Sequence, residues 1–201
     1  MNSFDLGVYH LINGLAGHHL LFDKMMAFLA QYALEIYVFL FLLAWITLPQ
    51  KESKKRHALV VAGFSGILAL CVNAVIGHFF FRPRPFVTLP KGTFTQLIPH
   101  SMDTSFPSNH TSGSFGFAAG SWKNTQVWTR KVFTILAIVV AFARIYTGVH
   151  WPTDVLAGVI IGIISARLTW IINPFLRPIT LIGLRLCHYG KFSKTKLRSV
   201  K

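Results

Sequence analysis

Residues 57–81 read HALVVAGFSGILALCVNAVIGHFFF, twenty-five positions without an Asp, Glu, Lys or Arg. A helix that crosses a bilayer needs about 20 mostly apolar residues, so this stretch predicts a spanning helix. Four other segments follow the same rule. Residues 25–50 carry one charge, Glu35, and residues 104–122 carry none. Residues 132–149 carry only Arg144, and residues 153–173 hold Asp154 at one end and Arg167 near the other. Pro107 limits the helical part of the third segment to about 108–122, so that helix is short and its start is expected below the membrane surface. The fold class is therefore all-α, an integral membrane bundle of five spanning helices in one domain.

Composition points the same way. Hydrophobic residues make up 53% of the 201 positions and charged residues 13%, about half the charge of a soluble domain. Such a chain cannot cover its apolar surface with polar groups. Segment 1–22 mixes Phe4, Leu6, Val8, Leu11, Ile12 and Leu15 with Asp5, His10, Asn13 and His18, and reads as an interfacial or partly inserted helix. It lacks the basic n-region of a cleavable signal peptide. The helix bundle occupies 24–173. Residues 174–201 hold Pro174, Pro178 and a series of basic residues, and read as a tail outside the hydrocarbon. Cys71 lies in an apolar run and Cys187 in the tail, too different in depth to pair, so both are expected as free thiols.

The net charge of +14 invites a nucleic-acid reading, but the placement of the charges excludes it. Basic residues in short loops mark the cytoplasmic side. With five spans, the 50–57 link, the 123–131 link and the tail share one side, and that side carries fifteen of the twenty Lys and Arg, counting Arg167. The aromatic–basic interleaving of a nucleic-acid module is not seen. Topology and attraction to anionic membrane lipids account for the charge.

Three polar patches then meet on the opposite face. The first runs from His78 through Arg82-Pro83-Arg84-Pro85-Phe86. The second is Phe106-Pro107-Ser108-Asn109-His110-Thr111. The third runs from Arg144 through His150 to Asp154. Arg82, Arg84 and Arg144 supply permanently charged forks suited to phosphate oxygens. Ser108 fits an N-cap, which leaves the backbone N–H groups of Asn109 and His110 at a helix N-terminus, where anions bind. Pro152 fits the first position of the next helix. His150 precedes Asp154 by four residues, so the carboxylate can set its tautomer and leave the other ring nitrogen for attack. His110 can protonate the leaving oxygen. Taken singly, each patch also has a structural reading: an interfacial anchor at the Arg-Pro repeat, an Arg144–Asp154 ion pair, an interfacial histidine. Together on one face they describe phosphoryl transfer through a phosphohistidine, with a bell-shaped rate profile set by neutral His150 and protonated His110.

The motifs resemble the signature of the type 2 phosphatidic acid phosphatase family, integral-membrane relatives of the vanadium haloperoxidases. The family pattern is Lys-x6-Arg-Pro, then Pro-Ser-Gly-His, then Ser-Arg-x5-His-x3-Asp. This chain shows Arg84-Pro85, then Pro107-Ser108-Asn109-His110, then Arg144-x5-His150-x3-Asp154. It departs at Gly77, which stands where the lysine would be, at Asn109 for the glycine, and at Ala143 for the serine. Arg82 is the candidate substitute for the lysine's charge. The resemblance implies His150 as nucleophile, Asp154 as its partner, His110 as general acid, and Arg84, Ser108 and Arg144 as phosphate ligands, with no metal and no other cofactor.

Within the family, the Phe-Arg-Pro-Arg-Pro-Phe segment and the residue before His110 look like the bacterial undecaprenyl-diphosphate phosphatases of the bacitracin-resistance type. That resemblance implies a polyprenyl diphosphate substrate, recycling of the cell-wall lipid carrier, and a multi-pass plasma-membrane protein with its site on the extracytoplasmic face. Phosphatidate, phosphatidylglycerol phosphate and diacylglycerol diphosphate meet the same physical demands. A non-enzymatic lipid scaffold or transporter is the competing class. Two features stay open: Phe86, Phe94, Leu97 and Ile98 in the 85–107 connection form either an interfacial lid or a loose loop, and Glu35 either reaches the site or sits at the interface.

Overall fold

The computed structural model describes residues 2–186, and within them the chain is helical, without strands. The elements in chain order are α1 (Ser3–Asn13), α2 (Leu20–Thr47), α3 (Ser53–Phe79), α4 (Pro85–Thr88), α5 (Asn109–Ser121), α6 (Val127–Tyr146), α7 (Pro152–Ile171) and α8 (Asn173–Leu186). Three of them, α2, α3 and α7, are long and apolar enough to cross a membrane. The other two expected spans fall short of that standard for different reasons. Helix α5 has 13 residues, about 20 Å at 1.5 Å per residue. Helix α6 has 20 but carries Arg130, Lys131 and Arg144.

Helix α5 is the centre of the bundle, packed most extensively against α3 and α7. Its low hydropathy is explained by what it touches, since nearly every residue from Thr111 to Ser121 is buried among helices rather than facing lipid. Close approach requires small residues, because lipid gives no hydrophobic drive between helices and van der Waals contact must do the work. A Cβ on Gly116 would lie 2.7 Å from the Ser65 carbonyl oxygen of α3, and one on Gly162 of α7 would lie 2.7 Å from that of Ser112. Gly116→Leu should therefore lose at least about 3 kcal/mol, at the upper end of overpacking penalties. Size-exclusion profile and thermal melting in detergent would show it as loss of monodisperse protein.

Helix α1 differs from the amphipathic reading. Its buried stripe is Asp5, Tyr9 and Asn13, one turn apart, while Phe4 and Leu11 are exposed. Asn13 Nδ2 donates to the carbonyls of Thr95 (2.7 Å) and Tyr146 (2.8 Å), and its Oδ1 accepts from Thr95 N at 2.9 Å. Asp5 and Asn13 thus turn into the protein with Tyr9, while Leu6 and Ile12 pack beside them and Phe4 and Leu11 face outward. The segment 85–107 is likewise neither a lid nor a loose loop. Ile98 is buried with Ala16, Met26, Ala30, Ala143, Tyr146 and Val149, with Phe86 and Leu97 packed against them, and Phe94 joins the cluster around Tyr9 and Trp151. Leu97 N donates to Thr147 O at 3.1 Å.

Residues 174–186 form most of α8. That helix buries Leu176, Thr180 and Leu184, while Phe175, Ile179 and Ile182 are exposed. His57 of α3 is hydrogen-bonded to Thr180 (2.7 Å) and to Asn173. Cys71 is free and exposed on α3; Cys187 and the rest of the basic tail lie outside the described residues.

Candidate active site

Helix α2 breaks its regular geometry at Tyr32 (φ −107°, ψ 19°), and the carbonyls just before that kink receive side chains from two other helices. Arg144 Nη1, near the end of α6, donates to Ala30 O at 2.8 Å. His110 Nε2, in the first turn of α5, lies 3.3 Å from Gln31 O. A carbonyl only accepts, so this contact places the hydrogen of His110 on Nε2. Arg144 is 1% exposed, and its Nε and Nη2 have no hydrogen-bond partner among the described residues. A cavity of about 270 Å³ opens here, lined by Gln31, Pro99, His100, Ser101, His110 and Arg144 among others.

His150 sits beside this cavity in the α6–α7 connection, 2% exposed. The ring of His100 packs edge-on against it, centroids 6.3 Å apart. Arg84 Nη1 lies 3.3 Å from His150 Nε2 and 2.8 Å from Val149 O. A guanidinium only donates, so Nε2 carries the lone pair and Nδ1 the hydrogen. Nδ1 faces Ser105 Oγ at 3.4 Å and Asp154 Oδ2 at 3.6 Å. The second distance is too long for a hydrogen bond; Ser105, whose hydroxyl donates to Asp154, links the two. Burial first, then the guanidiniums of Arg144 and Arg84, hold the His150 imidazole well below its ordinary range. Both favour the neutral imidazole, with the Nε2 lone pair turned to the Arg84 guanidinium.

The sequence-named residues divide into two groups. His110, Arg84, Arg144 and His150 converge with Asp154 at one end of the bundle. Arg84 is anchored by Asp103, which accepts from Nε (3.0 Å) and Nη2 (2.8 Å). Asp154 is not paired with Arg144. It caps its own helix by accepting from Trp151 N at 2.9 Å, and its other oxygen accepts from Arg82 Nη1 at 2.5 Å. The other sequence-named residues, Arg82, Asn109, Ser108 and Glu35, have different surroundings. Arg82 has both terminal nitrogens on carboxylates, Asp5 and Asp154, and stacks on Trp151 rather than entering the cavity. At Gly77, where the family lysine would stand, a Cβ would lie 3.1 Å from Thr104 Cγ2. Asn109 turns its amide oxygen to Asn73 Nδ2 at 3.0 Å. Ser108 occupies the N-cap of α5 as expected, but its hydroxyl makes no cap bond and instead accepts from Thr111 Oγ1 at 3.0 Å. Glu35 is exposed on α2. It lies two residues from both Ala33 and Tyr37 on the buried face, about 200° around the helix, and it does not line the cavity, whereas Gln31, on the other side of the break at Tyr32, does.

Four site neighbours escaped the sequence reading: Asp5, His100, Asp103 and Ser105. The acids carried a signal. The chain has only 6 Asp and Glu, and three of them, Asp5, Asp103 and Asp154, hold Arg82 and Arg84. In so cation-rich a chain, any acid on the arginine-bearing face is a candidate partner. Nothing local marks His100 or Ser105.

The profile of the PAP2 superfamily matches residues 58–178. Undecaprenyl-diphosphatase BcrC of Bacillus subtilis is 33% identical over 89% of both chains. Among solved structures, Aquifex aeolicus LpxE superposes with a TM-score of 0.66 at 26% identity, covering 84% of this chain and 96% of its own. A transmembrane PAP2-type phosphatidylglycerolphosphate phosphatase from Bacillus subtilis superposes with a TM-score of 0.61 at 18% identity, covering 87% and 89%, and so shares the fold.

Proposed function

Because the chain belongs to the PAP2 superfamily, we propose that it is a membrane lipid phosphatase that hydrolyses undecaprenyl diphosphate to undecaprenyl phosphate and phosphate. The observation that carries this reading is Arg144: a buried guanidinium with two N–H-bearing nitrogens unpartnered among the described residues, in a cavity it shares with His110. Leaving charged donors unsatisfied away from water is expensive. A phosphate oxygen pair satisfies both in the fork geometry arginine favours.

In this mechanism the terminal phosphate enters beside Arg144 and Arg84 as the His100 ring swings aside. His150 Nε2 attacks phosphorus, the bond to the bridging oxygen of the leaving undecaprenyl phosphate breaks, and His110, entering the step as imidazolium, delivers its Nε2 proton to that oxygen and is left neutral. The developing imidazolium is balanced by Asp154 through Ser105. His110 then takes a proton from water, which attacks the phosphohistidine and frees phosphate and His150. The chain crosses the bacterial plasma membrane five times, with α5 and α6 completing the set: α5 is shielded from lipid, and Arg144 of α6 faces the cavity. The site faces the extracytoplasmic side, opposite most of the basic residues. Carrier recycling of this kind removes the diphosphate form and confers bacitracin resistance.

The test is phosphate release in detergent from undecaprenyl diphosphate and, in parallel, from phosphatidate, with EDTA throughout and vanadate as competitor. EDTA-resistant, vanadate-sensitive release that favours the diphosphate supports the reading. Preference for phosphatidate moves the substrate, and no release from either lipid by folded protein overturns the enzyme and leaves a lipid scaffold.

The pH profile follows from His150. Its folded-state pKa is depressed, so the neutral nucleophile persists below the ordinary imidazole value of about 6.5. Measured between about pH 5 and about pH 8, kcat/KM should hold on its acid side, with the falling limb displaced below that value. The unfolded chain takes up the proton that folded His150 refuses, so stability declines as pH falls below about 6.5. An acid limb centred at the ordinary value would mean that His150 titrates as a solvated imidazole.

A further inference from the structure

Asp5 is a carboxylate with no exposed surface, contributed by the N-terminal helix, 149 positions before Asp154. Its Oδ1 accepts from Thr153 N at 2.9 Å, and its Oδ2 accepts from Thr153 Oγ1 at 2.8 Å and from Arg82 Nη2 at 2.5 Å. The other arm of Arg82 donates to Asp154 Oδ1 at 2.5 Å and to Thr153 Oγ1 at 2.7 Å. One guanidinium thus bridges two buried carboxylates, and the second of these faces His150. Separating a buried ion pair by removing one partner is strongly destabilising, because the other charge is left uncompensated. This arrangement therefore makes the charge beside His150 depend on a residue of α1.

We propose that Asp5 is a positioning residue for the phosphohistidine chemistry, acting through Arg82 on Asp154. The inference rests on the phosphatase reading. Asp5 draws one arm of Arg82 away from Asp154, which leaves Asp154 enough uncompensated charge to stabilise the imidazolium as His150 attacks. The other charged or titratable groups acting on His150 are Arg84 and His100 on the segments between α3 and α5, His110 on α5 and Arg144 on α6, with Asp103 behind Arg84 and His100. None of them touches Asp5, so Asp5 reaches His150 by this one route among the described residues.

The sign of the electrostatic effect separates this role from mere anchoring of α1. Asp5→Asn removes a negative charge, disfavours imidazolium, and should lower kcat on the order of tenfold, as loss of an orienting partner of a histidine typically does. KM should stay near the wild-type value, and the acid limb of kcat/KM should move to lower pH. Arg82→Gln removes a positive charge and should move the limb to higher pH. The double variant should bring the limb back toward its original place. If both single variants shift the limb the same way in step with a lower Tm, or if Asp5→Asn changes neither kcat nor the limb, Asp5 only anchors the helix and the proposal is overturned. Should Asp5→Asn not accumulate as folded protein, Arg82→Lys reads the same link: it keeps the charge but lacks the fork that spans two carboxylates. Full kcat in that variant overturns the proposal. Wild-type phosphate release runs alongside: its absence overturns the phosphatase reading itself, and an active wild type with unaltered variants overturns only the role of Asp5.

Discussion

His150→Ala will leave a folded protein that releases no measurable phosphate. The expected fall in kcat is on the order of 10³–10⁴-fold or more, the range seen when the nucleophile of a covalent mechanism is removed and only binding and electrostatic stabilisation remain. Folding should survive because each neighbour keeps another partner. Arg84 retains Asp103 and the Val149 carbonyl, and Asp154 retains Trp151 N, Ser105 and Arg82. The measurement is a rapid-quench search for acid-labile phosphate on the protein with radiolabelled substrate. Wild type should show a transient phosphoenzyme and the variant none. A variant that still turns over through a phosphoenzyme would move the nucleophile to His110 or His100, the other imidazoles at the cavity.

Arg144→Lys should be nearly as damaging, although it keeps the charge. The guanidinium does one thing in the structure and is proposed to do another: Nη1 holds the Ala30 carbonyl beside the kink of α2, and Nε with Nη2, unpartnered among the described residues in a cavity-lining side chain, are left for phosphate. An ammonium on a single stem can hold the Ala30 carbonyl or meet a phosphate oxygen, but it lacks the fork that does both. Losing a preorganised donor to the transition-state charge typically removes about 10²–10³ in kcat. If the substituted ammonium turned to the Ala30 carbonyl, binding of phosphate itself would also weaken. The expected result is a fall of that size in kcat, a raised KM, and weaker inhibition by vanadate. If Arg144→Lys binds vanadate as wild type does and loses only thermal stability, Arg144 serves the kink of α2 and the phosphate belongs to Arg84.

The motif residues were legible one by one because their chemistry is local to each motif. Arg144-x5-His150-x3-Asp154 spans the end of one helix and the first turn of the next, so spacing alone brings the histidine near the carboxylate. Hydropathy likewise marks α2, α3 and α7, since lipid contact demands apolar side chains along the whole helix. It describes α5 and α6 less well. Helix α5 is covered by protein and has small polar residues in place of large apolar ones, and α6 spends an arginine on the cavity.

The direction of a side chain was a different matter, because it depends on partners far away in the chain. Arg82 and Arg84 are two residues apart and chemically identical, and only the tertiary fold gives one of them to Asp5 and Asp154 and the other to Asp103 and His150. Glu35 and Gln31 lie one turn apart on α2, on either side of the break at Tyr32, and of the two Gln31 lines the cavity. The residues 1–22 contain both apolar and polar positions, and the docking surface made by the α6–α7 connection and Thr95 determines that the polar stripe turns inward. The sequence alone thus specified a membrane bundle, the face on which its polar chemistry collects, and the histidines and arginines that supply it. The pairing of charges, and with it the basicity of His150 and the orphaned donors of Arg144, came only from the tertiary structure, because a buried charge takes whichever opposite charge the packing brings within about 4 Å.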